Sequence, residues 1–232
     1  MFVALSGNAA GAFAHPSSPT VRQFNDVSAE ADAGVWTHNL TQRTLQIDRI
    51  GSTSVNNAAG ITRHTDLSGP AAMLRLVFDV AGTNWTATPY QSNALTLSVG
   101  RNYAVGDYGS SEVHANTFQT IAVRGKGPGT MAVTINGAES AQLPADGRQY
   151  RITLLLNKSA PDTQYLAPDG SVRTLRTATA VLWVGSTLVA DVAASNGTTS
   201  GLTDLRLRLA TGGDALWTVD DITAYRHPLP LG

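Results

Sequence analysis

The sequence predicts an all-β protein, an antiparallel two-sheet β-sandwich of the jelly-roll type, folded as a single domain over residues 1–232. Three observations predict it. Apolar residues recur with period two in almost every segment and with period 3.6 almost nowhere. Gly, Pro, Asn and Asp punctuate the chain at short intervals, as the turns of a sandwich require. Charge is also sparse: Lys+Arg 16 and Asp+Glu 17 make 14% of the chain, against 42% hydrophobic residues. An average soluble domain carries roughly 25% charged residues, and a chain of this size can bury a full core.

The elements follow in order along the chain. Residues 1–20 read as an N-terminal strand or arm. The triplet Ala12-Phe13-Ala14 resembles the end of a secretory signal, but no basic region precedes it and Gly7, Asn8 and Gly11 interrupt the apolar run. A first strand is therefore expected. Phe24 to Ala33, with Asp26, Glu30 and Asp32, is the nearest approach to a helix, enough for a turn or two. Leu74, Leu76, Phe78 and Val80 alternate with Arg75, Val77 and Asp79. Leu95, Leu97 and Val99 form the next inward set, then Met131, Val133 and Ile135. Asn136-Gly137 follows as a hairpin turn. Tyr150, Ile152, Leu154 and Leu156 point one way, and Leu205, Leu207 and Leu209 alternate with Asp204, Arg206 and Arg208. The loop Arg124-Gly-Lys-Gly-Pro-Gly129 lacks the Gly-Lys-Ser/Thr ending of a phosphate loop and reads as a hairpin connection. The tail 226–232, His227-Pro-Leu-Pro within it, cannot continue a central strand because Pro lacks the ladder donor. It is expected to run extended.

Composition also excludes function classes. A formal net charge of −1 with few basic residues provides no footprint for nucleic acid. No apolar run approaches the ~18 residues of a membrane-spanning helix. The chain has no Cys, so disulfides and thiolate metal sites are excluded. Low charge and abundant Thr, Ser, Asn and Gly suit an extracellular or cell-surface setting. Sequons fall at Asn39, Asn84, Asn157 and Asn196.

The most specific segment is Ala215-Leu-Trp-Thr-Val-Asp-Asp-Ile-Thr-Ala-Tyr225. Strict alternation places Trp217, Val219 and Asp221 on one face and Asp220 with Ile222 on the other. One carboxylate must then share a face with large apolar groups, unless a bulge intervenes. This segment resembles the last strand of secreted jelly-roll carbohydrate-binding modules and of laminin-G or concanavalin-like sandwiches. Phe24-Asn-Asp…Gly34-Val-Trp36 and the hairpin-like run Thr179–Val189 are loosely similar to other parts of those folds. The resemblance implies a non-catalytic module that binds polysaccharide. It also implies a structural Ca²⁺ held by Asp220 or Asp221 together with Asp26, Glu30 or Asp32, completed to about 6–8 oxygen ligands. The same acids could instead cap turns or pair with Arg22 or Arg226.

Aromatic residues are only 6% of the chain, so exposed rings are informative. Trp36 and Trp217 read as core. Trp85, Tyr90, Tyr103, Tyr108 and Trp183 are candidate stacking platforms for sugar rings, with half-buried strand positions as the plainer reading. The five histidines show no zinc spacing. A jelly-roll polysaccharide lyase would use a Tyr and a His with uronate-neutralising groups, here Tyr103 or Tyr108 with His114, Asn116 and Arg101 or Arg124. Glu occurs only at 30, 112 and 139, too few for a familiar Glu-based glycosidase. A third expectation is a structural or adhesive subunit, a homo-oligomer or surface assembly in which the terminal segments add to a neighbour's sheet edge.

Overall fold

The structure is a computed structural model. It describes residues 71–83, 94–103, 115–196, 201–209 and 216–226. It also describes the backbone of five strands within residues 1–63, with side chains at 45–47 and 60–62.

Among the described residues, two eight-stranded antiparallel sheets face each other. The first sheet contains β1 (Ala4–Leu5), β3 (Val35–Asn39), β4 (Thr44–Asp48), β6 (Met73–Thr83), β12 (Tyr150–Asn157), β15 (Thr179–Val184), β16 (Thr187–Ala193) and β18 (Leu216–Tyr225). Its order is β16-β15-β12-β6-β18-β4-β3, with β1 alongside the second half of β18. The second sheet contains β2 (Asp26–Ala29), β5 (Ala59–Arg63), β7 (Leu95–Gly100), β8 (Thr117–Gly127), β9 (Thr130–Ile135), β10 (Ala138–Glu139), β11 (Leu143–Pro144) and β17 (Asp204–Leu209). A separate hairpin, β13 (Thr163–Leu166) with β14 (Val172–Leu175), lies against β12 and β15.

Period two explains the core. Leu74, Leu76, Phe78 and Val80 on β6 meet Leu95, Leu97 and Val99 on β7, Leu205, Leu207 and Leu209 on β17, and Ile152, Leu154 and Leu156 on β12. All are essentially inaccessible, and Trp217 joins them as expected. Each such side chain contributes about 1.5–3 kcal/mol by leaving water. The segment 24–33 departs from expectation: Asp26–Ala29 pairs with β5 as a strand, because tertiary ladder bonds outweigh a short, weak helical pattern.

The turns follow local chemistry. Asn136 and Gly137 both take positive φ (45° and 85°), the two-residue hairpin geometry that joins β9 to β10. The Gly125–Gly129 stretch closes the β8–β9 hairpin, as read from the sequence. Gly185 and Ser186 connect β15 to β16. The sequon at Asn157 is closed to modification: the residue is 0% exposed and its amide donates to the carbonyls of Ala160 and Leu175.

The bulge anticipated for the last strand is present. Asp220 pairs with Asp79 and Thr223 with Val77, so three steps on β18 oppose two on β6. Asp221 absorbs the extra residue at φ 50°. Alternation is thereby shifted by one position: Val219 and Ile222 both enter the core, while Asp220 and Asp221 both stay out of it. This solves the conflict in the sequence without burying a charge.

Candidate functional site

The site is built on the outward phase of the same strands whose inward phase makes the core. On β6 that phase carries Arg75, Val77 and Asp79; on β12 it carries Arg151, Thr153 and Leu155; on β18 it carries Thr218, Asp220, Thr223 and Tyr225. The three strands are adjacent, so these residues share one face of the first sheet.

Two cavities occupy that face. The first, of about 460 Å³, has a floor of Val77, Thr153 and Thr223 and is bounded by Arg75, Arg151, Tyr225 and Asp221. Tyr165, Leu166 and Pro168 of the β13–β14 hairpin form its wall. The second, of about 590 Å³, lies further along β6 and β18 and is lined by Gln46, Thr83, Gln149, Leu216 and Thr218. No charged side chain lines it among the described residues.

A row of charges separates the two. Asp79 lies between Arg151 on β12 and Asp220 on β18, all three in cross-strand register. Arg151 donates to both Asp79 oxygens, Nε to Oδ1 at 2.7 Å and Nη2 to Oδ2 at 2.6 Å. That hydrogen-bonded contact holds its guanidinium above its ordinary pKa. Burial lifts the Asp220 carboxyl above the usual carboxylate range, and the neighbouring Asp221 and Asp79 add to the effect. Asp220 Oδ1 accepts the Asp221 backbone N–H at 2.7 Å.

At the far end, Arg75 and Tyr225 are register partners, and the guanidinium carbon stands 4.0 Å from the ring centroid. Arg75 is only 8% exposed, and burial lowers its pKa. The Tyr225 ring is partly exposed. The face therefore offers a ring, hydroxyls, carboxylates and guanidinium groups along strands β6, β12 and β18, with the side-chain amides of Gln46 and Gln149 at one end. At about 3.3 Å per residue, that is a surface on the order of 30 Å long.

The sequence expectations are met only in part. Trp183, a candidate stacking platform, faces away from Leu182 and Val184, but it is 0% exposed. The β13–β14 hairpin buries it with Leu155, Tyr165 and Leu175, and Arg173 stacks 4.9 Å from its ring centroid. Tyr103 is 4% exposed: its hydroxyl bonds Thr117 Oγ1 at 3.1 Å, and its N–H donates to Asp204 Oδ2 at 3.0 Å. Neither ring is free to stack on a sugar. Burial also pushes the Tyr103 phenol well above its ordinary pKa, the wrong direction for a catalytic base. Arg101, Asn116 and Arg124 lie on or beside the second sheet, remote from the groove on the first. Asn116 there donates to the Asn102 carbonyl at 3.2 Å.

Trp85, Tyr90, Tyr108, His114, Glu30 and Asp32 lie outside the described residues. Asp26 belongs to β2 in the second sheet, whereas Asp220 and Asp221 point off the outer face of the first. Among the described residues no group of three or more His, Asp or Glu is placed to hold a metal. No described helix is long and apolar enough to cross a membrane.

Sequence reasoning missed Arg75, Asp79, Arg151 and Thr153. The available signal was their polar character in the outward phase of strongly apolar strands.

An antiparallel jelly-roll sandwich with an open groove on the outer face of one sheet defines the class. The sequence matches no protein-family model and no curated protein. Among solved structures, the chain is similar to a Bacillus subtilis protein with a galectin-like fold, with a TM-score of 0.51 and 10% identity over 92% of this chain and 94% of that one. It is also similar to a variant of alginate lyase Aly36B in complex with an alginate tetrasaccharide, with a TM-score of 0.49 and 13% identity over 100% and 95% of the two chains. A sialidase matches over 88% of this chain at 9% identity and a TM-score of 0.48, but the match spans only 19% of the sialidase. At these identities the likeness is one of fold.

Proposed function

We propose that the protein is an extracellular, non-catalytic polysaccharide-binding sandwich that holds an extended glycan along the outer face of its first sheet. The observation that carries this reading is the pair of cavities in line on one face, one lined by the Tyr225 ring, hydroxyls and charged groups, the other by hydroxyl and side-chain amide groups. Sugar rings present C–H faces that pack on an aromatic ring, and their hydroxyls exchange hydrogen bonds with Thr, Gln and Asp. An extracellular setting rests on the low charge and the polar, uncharged composition.

Binding to a glycan array and pull-down on insoluble polysaccharides test the proposal. Tyr225→Ala and Thr153→Val are expected to reduce binding while each variant still unfolds cooperatively. Full retention by both would reject this groove. A rise in absorbance from unsaturated uronate product would instead support a lyase and reject the non-catalytic reading.

A further inference from the structure

Three rows of side chains run from β12 through β6 to β18 across the face that carries the first cavity. The row Arg151–Asp79–Asp220 is charged throughout, Thr153–Val77–Thr223 carries two hydroxyls, and Leu155–Arg75–Tyr225 holds a single charge. Along β6 the outward neighbours of Arg75 are Met73 and Val77. Asp79 lies four residues away, roughly 13 Å at the rise of an extended strand. The two guanidiniums that line the cavity are therefore unlike. Arg151 donates to both oxygens of Asp79, which raises its pKa, and Asp221 and Asp220 act on it as well. Arg75 is 8% exposed, lies 4.0 Å from the Tyr225 ring centroid, and has a buried Nε–H with no acceptor. Among the described residues no carboxylate forms an ion pair with it. Burial lowers its pKa, and the group that acts against this is Tyr225.

Taking a cation out of water costs free energy that an aromatic ring offsets only in part. The missing partner is an anion, and the cavity beside Arg75 has the size of a small-ligand site. Building on the polysaccharide-binding reading, we propose that the Arg75 end of this cavity is the subsite for one anionic substituent of the bound glycan, a uronate carboxylate or a sulfate ester. A guanidinium matches either group, since both present paired oxygens to its N–H donors. The hydroxyls of the same sugar meet Thr153 and Thr223 one row away, and Asp221 further along the cavity accepts from others. Arg151 is 54% accessible and keeps donors beyond those on Asp79, but three carboxylates already act on its charge. The two cations are therefore compared directly.

The test is calorimetry on the whole chain with two matched pairs of ligands. One pair is an oligoglucuronate or oligogalacturonate and its carboxyl-reduced, neutral counterpart; the other is a sulfated oligosaccharide and its desulfated form. An acidic chain is expected to bind at least about tenfold more tightly than its neutral counterpart, the scale of one charge-assisted contact. The two pairs distinguish carboxylate from sulfate. The preferred acidic chain should also raise the parent's melting temperature more than its neutral counterpart does at equal concentration, a measurement that needs no variant. Arg75→Met should abolish the preference. Arg75→Lys, which keeps the charge and loses the fork, should retain part of it, and Arg151→Met should lower it less than Arg75→Met does. Equal affinity for acidic and neutral chains in both pairs would overturn the subsite and leave the groove reading in place. A preference lost in Arg151→Met and kept in Arg75→Met would also overturn it. Failure of every chain, acidic and neutral, would overturn the groove reading itself.

Discussion

Asp220 stands directly opposite Asp79 across the β18–β6 ladder, two carboxyl groups in one register pair on the centre of a sheet face. Like charges directly opposite destabilise a sheet. Arg151 offsets this from the other side of Asp79 with its two-point contact. The row thus runs cation, anion, anion across three strands, and its energetics can be measured.

A double-mutant cycle on Arg151→Met and Asp79→Asn should return a favourable coupling of about 1 kcal/mol. The value is bounded by exposure: the Arg151 side chain is 54% accessible, so solvent screens much of the attraction. The coupling should fall with added salt in urea unfolding. A coupling of zero would mean the pair contributes geometry only.

Asp220→Asn should stabilise the fold at neutral pH. Burial raises the Asp220 pKa in the folded state, so the folded protein holds that proton more tightly than the unfolded chain. The associated stability is present below the ordinary Asp value of about 3.9 and is lost as pH rises through the folded value. The Asn variant does not titrate. Its advantage in melting temperature should therefore be greatest at neutral pH and vanish as pH falls toward the ordinary carboxylate range. A constant advantage across pH would point to packing instead.

Asp221→Val should destabilise by about 1–2 kcal/mol, because a β-branched residue is strained at φ 50°. Asp221→Gly should be close to neutral, since glycine adopts that conformation freely. Chemical denaturation of the pair separates backbone strain from loss of the carboxylate.

Gly100→Ala should cost on the order of 1–3 kcal/mol. A Cβ there would run into the Asn116 carbonyl and lie 2.7 Å from the Tyr103 hydroxyl and 2.9 Å from Thr117 Cα. The irregular β7–β8 pairing at Gly100 brings those groups close. Loss of the Tyr103–Thr117 contact should accompany the drop in melting temperature.

Trp183→Ala should cost about 3–5 kcal/mol, the range for truncating a buried aromatic. The hairpin that covers it forms one wall of the first cavity, so glycan binding should weaken with stability. Weakened binding at unchanged stability would show that the ring is reachable after all.

The last strand shows how far the sequence alone reaches. Period two in Leu74–Val80, Leu95–Val99 and Leu205–Leu209 determined the sandwich and its core, because one-sided burial forces alternation and the residues record it directly. The same alternation exposed the conflict at Asp220-Asp221 and named a bulge as its remedy. Which strands become neighbours was decided by tertiary structure, since ladder partners such as Asp79, Arg151 and Asp220 are separated by long stretches of chain. That pairing assembled the groove from residues whose sequence contexts show no shared motif. It also buried Trp183 under a hairpin and Tyr103 against Thr117, outcomes that depend on what covers an outward face. Alternation tells inward from outward; only the folded chain tells outward from exposed.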